Sequence, residues 1–276
     1  MENLYGRTIM KTLSRTLLVS VAVAIGTMNL HCNKPAGSDN GAKSEAHKPA
    51  GPDSGARSEV STSISTPDPK ALVAYYSFGG NARDESGNHH DGVVHGATLC
   101  ADRSGGDKKA YAFDGDDYIV VDSPPSVTTL ATFAAWIRLE NHGESVGGYV
   151  LDKGRNLEHE TFSLGVTESR VAWVRVHVDG SPYTLESSKP VSIGEWTHIA
   201  GVYDGGGRGL TMYVDGEFIG NQPVAGELDQ NSEALYFGCD SSEQLESWEG
   251  AIDEVRIYDK ALTEAEVKYL CRPPEQ

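Results

Sequence analysis

Thr132-Phe133-Ala134-Ala135-Trp136-Ile137-Arg138-Leu139 alternates, with Phe133, Ala135, Ile137 and Leu139 on one face. A period of two marks a strand that turns one face to a core. The same reading extends both ways along the chain. Upstream, Leu72-Val73-Ala74-Tyr75-Tyr76-Ser77-Phe78 is a β-rich run closed by Gly79-Gly80, and shorter apolar runs follow at 92–95, 110–113 and 118–121. Downstream, runs at 161–166, 170–178 and 195–203 precede Met212-Tyr213-Val214, Asp215-Gly216 and Glu217-Phe218-Ile219. Asp-Gly between two apolar strands predicts a type I′ hairpin. Runs at 234–238 and 251–258 close the series, and Thr263 with Glu266 forms a T-x-x-E capping box before Val267 and Leu270. The expected fold is all-β, an antiparallel two-sheet sandwich with one short C-terminal helix.

The chain has 276 residues and a formal net charge of −17. Residues 1–70 hold six acids and eight bases, which leaves 34 and 15 for residues 71–276, a net of −19 there. So negative a body repels phosphate backbones and anionic lipid, which excludes a nucleic-acid binder. It suits divalent cations or neutral partners such as sugars.

The N-terminus reads as an export leader, residues 1–32. Met10-Lys11-Thr12-Leu13-Ser14-Arg15 is a basic start, and residues 17–30 are uncharged and mostly apolar, too short for a comfortable membrane span. Two endings are open. Ala22-Val23-Ala24 offers small-residue cleavage and a secreted product, whereas Cys32 after the apolar run resembles a bacterial lipoprotein signal. The second predicts lipid on Cys32 and an envelope-surface location, with the membrane touched only through that anchor. Residues 33–70 read as a disordered linker: the segment from Lys34 recurs 14 residues later from Lys48, and neither copy holds a large apolar residue. A flexible tether of this length spans roughly 35 Å on average.

Six segments of the head, taken in order, resemble a known family. They are Tyr76-Ser77-Phe78, Asp84-Glu85-Ser86-Gly87-Asn88, Ala112-Phe113-Asp114-Gly115, Trp196 to Asp204 (WTHIAGVYD), Tyr213-Val214-Asp215-Gly216 and Gly250 to Tyr258 (GAIDEVRIY). Their order is that of LamG-like jelly-roll domains of the concanavalin A-like lectin/glucanase fold. The resemblance implies that residues 71–276 form one two-sheet jelly roll and that binding is commoner than catalysis. Glucanases of this fold use Glu-x-Asp-x-x-Glu on one strand; here Ala251 and Arg256 stand at the outer positions, so no enzyme is expected.

Strand alternation puts Asp253 on the face of Val255 and Ile257, where a buried carboxylate needs a cation or several backbone donors. Pairing of the first and last strands would bring Asp84 towards it. Two carboxylates and turn carbonyls suit Ca²⁺, and relatives often hold a structural calcium at a comparable rim. Gly79 departs from the aspartate that many relatives carry after the phenylalanine. The alternative has Asp84 forming a turn and Asp253 bonded to backbone. Trp173 and Tyr183 are the candidate ligand-stacking aromatics, with Tyr149 and Trp248 behind them. If Cys32 carries lipid, three cysteines remain, and strand directions favour a Cys100–Cys271 disulfide in an oxidising envelope. The expected function is a monomeric surface module that binds glycan or an extracellular protein. The alternative is a structural envelope protein without a small ligand, with a glycoside hydrolase a distant third.

Overall fold

The computed structural model describes residues 65–140, 147–154, 160–240 and 246–272. The expected leader, Cys32 and the tether as far as residue 64 lie outside them. Fifteen strands and one helix are described: β1 (Leu72–Tyr76), β2 (Val93–His95), β3 (Thr98–Cys100), β4 (Ala110–Asp114), β5 (Tyr118–Val121), β6 (Leu130–Leu139), β7 (Gly148–Lys153), β8 (Phe162–Val166), β9 (Val171–Val178), β10 (Ser181–Pro190), β11 (Trp196–Asp204), β12 (Gly209–Val214), β13 (Glu217–Gln222), β14 (Leu235–Phe237), β15 (Glu249–Tyr258) and α1 (Glu264–Leu270). Their pairings are antiparallel and build two sheets. One has the order β13-β12-β11-β6-β15-β4-β3, with β1 also on β15, and the other the order β10-β9-β8-β7-β14-β5-β2. This is the antiparallel two-sheet sandwich expected from the alternation, with the jelly roll that the resemblance implies.

The core lies between the sheets. Phe133, Ala135, Ile137 and Leu139 of β6 all enter it, as the quoted stretch predicts, and meet Phe162, Leu164, Val174 and Val176 of the opposite sheet. Phe133 and Phe162 stack with centroids 4.9 Å apart. Each such side chain contributes about 1.5–3 kcal/mol by leaving water. The alternate residues Ala134 and Ala200 face outward, where α1 covers them with Leu262, Val267 and Leu270. Seven residues are too few for a helix to hold in water, so this docking and the capping box sustain it.

First and last strands pair as expected, with Tyr76 opposite Val255 and Leu72 opposite Tyr258. The face of Asp253 differs from expectation. Glu254 adopts φ +52° and forms a bulge, visible as a register shift between Asp253 and Arg256 against β6. A bulge adds one residue and so reverses the alternation beyond it. Ile252, Val255 and Ile257 therefore point into the core, while Asp253 and Arg256 point outward. Asp253 stands opposite Trp136 rather than beside Val255.

Residues 65–70, read from sequence as tether, include Pro67, which is buried, and Asp68, whose carboxylate accepts from the Lys70 N–H at the head of a 3₁₀ turn.

The Asp215-Gly216 hairpin is formed as the sequence predicts: φ is +50° and +76° at its two residues, and Val214 pairs with Glu217. A Cβ on Gly216 would stand 3.2 Å from Cys271 Sγ and from the Lys268 side chain. Gly216→Ala should thus lower unfolding free energy by about 1–3 kcal/mol, read from urea denaturation.

Candidate functional site

The sheet register assembles a polar strip on the outer face of the seven-stranded sheet. Tyr236 pairs with Val120 on one side and Asp152 on the other; Asp152 pairs with Ser163, Ser163 with Arg175, and Arg175 with Thr184. Direct partners share a face. Their sequence neighbours Leu235, Phe237, Leu151, Leu164, Val174 and Val176 belong to the core, so all of the row points away from it. A second row holds Tyr149, Gly165 and Trp173. Gly165 leaves room there, since a Cβ would lie 2.6 Å from the Trp173 ring.

The middle of this face is ionic and closed to water. Glu160, 2% exposed, bonds through Oε1 to the Ser163 hydroxyl, and its Oε2 lies 3.4 Å from Arg175 Nη1 and 3.7 Å from His177 Nε2. Arg175 also donates to the Tyr149 hydroxyl at 3.1 Å and covers the Trp173 ring at 4.7 Å. Asp152 is 2% exposed and its Oδ1 has no hydrogen-bond partner. Burial raises its pKa well above the usual carboxylate range, and the charge of Glu160 adds to that. Burial likewise pushes Glu160 up to about 7 against the pull of Arg175. At one end the strip opens: half-buried Tyr118 and Tyr236 lie 6.1 Å apart, and exposed His95 stacks on Tyr118 at 4.5 Å.

Of the two expected stacking residues, only Trp173 lies on this face. It is buried, edge-on to Tyr149 with centroids 4.8 Å apart. Tyr183 pairs with Val176, shares its inward face and packs against the core. Trp248 is wholly buried in the core. Asp152, Glu160 and Arg175 were not singled out by sequence; Tyr149 and Trp173, which were, lie on the same face.

Asp84 and Asp253, the expected calcium ligands, are each engaged by groups of the protein. Asp84 Oδ1 accepts from the Tyr75 and Ser86 N–H groups, and Oδ2 from the His90 N–H and the Ser86 hydroxyl, so four lone-pair directions are filled. These bonds hold its pKa low despite burial. Asp253 faces a cation already, with Oδ2 3.5 Å from Arg103 Nη1 and Oδ1 accepting from the Glu254 N–H. Among the described residues no group of three or more His, Cys, Asp or Glu could hold a metal ion.

The expected Cys100–Cys271 bridge is not formed: neither Cys100 nor Cys271 is in a disulfide. Cys271 Sγ is directed instead at His198 Nδ1, 3.2 Å away, and at the Val267 carbonyl oxygen, 3.3 Å away. This pair is not an activated nucleophile. Burial pushes the thiol up to about 12, and burial with Arg256 and Arg103 nearby pulls His198 down to about 3, so both are neutral.

Two stacked antiparallel sheets, one capped by a helix and the other bearing an aromatic–ionic strip, define a jelly-roll domain. The family model of the concanavalin A-like lectin/glucanases superfamily matches residues 113–268, and the chain belongs to that superfamily. Solved structures share the fold at low identity. Domain 4 of a GH43 extracellular arabinanase from Geobacillus stearothermophilus, in complex with arabinotriose, is 19% identical with a TM-score of 0.57, over 73% of this chain and 98% of that one. The binding domain of Paraclostridial Mosquitocidal Protein 1 is 18% identical with a TM-score of 0.60, over 74% and 52%. The botulinum neurotoxin serotype D ligand binding domain, in complex with N-acetylneuraminic acid, is 14% identical with a TM-score of 0.56, over 74% and 51%. The chain spans about half the length of these two toxin domains. No curated protein matches it.

Glu160 gives the site a pH signature. Its carboxyl titrates near 4.5 in the unfolded chain and near 7 in the folded one, so the folded state holds the proton more tightly. Its favourable contribution is complete below about 4.5 and is lost as pH rises to about 7. Glu160→Gln should flatten that part of a plot of melting temperature against pH. Asp253, raised by burial to about 7, contributes a slope of the same sign, which the variant retains.

Proposed function

We propose that the chain is an exported, non-catalytic binding module that recognises glycan at the open end of the seven-stranded sheet. The observation that carries this reading is the platform of His95, Tyr118 and Tyr236, continuous through Asp152 with the ionic centre. Aromatic faces stack on the apolar faces of sugar rings, and a few polar groups around them fix orientation. The charge of the head favours neutral sugars over anionic polymers. Support comes also from the complexes of two similar folds, one with arabinotriose and one with N-acetylneuraminic acid. A non-catalytic role agrees with the neutral Cys271–His198 pair and with Glu160, whose oxygens are engaged by Ser163 and Arg175.

The full chain should retain a defined set of sugars on a glycan array. Tyr118→Ala with Tyr236→Ala should weaken that binding about tenfold, while Phe218→Ala, exposed on the other sheet, should leave it unchanged. Undiminished binding by the tyrosine variant would remove the platform from the reading, and an array without any retained sugar would end it.

The same proposal places the module on the envelope surface through lipid on Cys32. Mature protein should partition into detergent and carry acyl mass on its first residue, and Cys32→Ser should release it to the aqueous phase. An unmodified N-terminus at Ile25 would show instead a secreted product.

A further inference from the structure

A cleft of about 480 Å³ lies between α1, the start of β1 and the bulge of β15, on the other sheet from the platform. Cavities of this size accept small molecules. Its walls carry three guanidinium groups, those of Arg103, Arg256 and Arg272, out of nine arginines in a region whose net charge is −19. Tyr75, Tyr258 and Tyr269 supply aromatic surface, and Pro67, Leu72 and Leu270 supply apolar surface.

Among the described residues, the three guanidinium groups face only two carboxylates, those of Glu254 and Asp253. Glu254 is shared: it contacts Arg256 Nη2, accepts from the Tyr75 hydroxyl at 3.1 Å, and lies 4.0 Å from Arg103 Nη1. Arg103 donates to the Arg272 carbonyl oxygen only at 3.5 Å, and its buried Nε has no acceptor. Arg272 is exposed over the Tyr269 ring at 5.4 Å, and among the described residues it makes no ion pair. Asp253, behind Arg103, is raised by burial to about 7 and so is only partly ionised near neutrality.

We propose that this cleft binds a small carboxylate carried on a ring, its two oxygens held by Arg103 and Arg272 and its ring lying against Tyr269. A guanidinium fork matches a carboxylate in shape and charge. A single negative charge suits the residual positive charge, and the apolar walls favour a ring over strongly hydrated inorganic phosphate. An aromatic acid and a uronic acid share this chemistry.

Titration calorimetry on the full chain tests it with phenylacetate, glucuronate, methyl glucoside and inorganic phosphate at equal ionic strength. At least one of the two carboxylates should bind, with methyl glucoside and phosphate at least about tenfold weaker. The tighter carboxylate identifies the source. Arg272→Gln, at an exposed position, should weaken binding about tenfold, and Tyr269→Ala should weaken it independently. The Tyr118/Tyr236 variant should bind the carboxylate unchanged, which separates this cleft from the glycan platform. Failure of both carboxylates, equal binding of phosphate, or full binding by both the Arg272 and Tyr269 variants would overturn the proposal.

Discussion

The bulge at Glu254 governs the eight-stranded sheet. Strand β15 runs through its middle and pairs along one side with β6, while its other side is divided between β4 before the bulge and β1 after it. Without the extra residue, one half of the strand would present its polar set to the core. With it, Ile252, Val255 and Ile257 all point inward despite a spacing that breaks alternation. The displaced carboxylate of Asp253 then needs a counter-charge outside the sheet. Arg103 supplies it, lying over Trp136 at 4.8 Å. Burying this ion pair costs desolvation that the attraction only partly offsets, so removing either partner alone harms the fold more than replacing both.

The two outer faces are finished differently. On the eight-stranded sheet, α1 covers Ala134, Ala200 and Val202, small and branched residues that admit a helix closely. On the seven-stranded sheet, charged and aromatic side chains occupy the equivalent layer, with Arg175 joining Glu160, Tyr149 and Trp173. Around Arg175 the groups fix one another, which makes that part of the face rigid. It is also sensitive to proton concentration, since burial has moved its carboxyls towards neutrality.

Much of the fold was legible because it rests on local rules. Alternation at Phe133 to Leu139, the Asp-Gly turn and the Thr263–Glu266 box each act within a few residues and survive tertiary context. Strands β7 and β10 were not legible. The first, Gly-Tyr-Val-Leu-Asp-Lys, does not alternate and ends on two charged residues, and the second, Ser-Pro-Tyr-Thr-Leu-Glu-Ser-Ser-Lys-Pro, lies largely exposed and needs little apolar pattern. Missing β7 meant missing Asp152, and with it the centre of the strip. The bulge had no sequence signal either, because Glu is not a residue that seeks positive φ. That one residue moved Asp253 to the other face and, with it, the expected metal ligand. Trp173 and Tyr183 were both legible as large aromatics, but only the register of β9 against β10 shows that they lie on opposite sides of one sheet.

The rim of the seven-stranded sheet has a consequence for colloidal behaviour. Strand β10 is its outermost member, yet carries Pro182 and Pro190, which lack an N–H, and Lys189 beside them. At the opposite margin β2 is three residues long. A second copy approaching either border finds an interrupted row of donors or almost no row at all, and its own negative charge repels it. This sheet can therefore be crowded at high density without lengthening into fibres through its own borders.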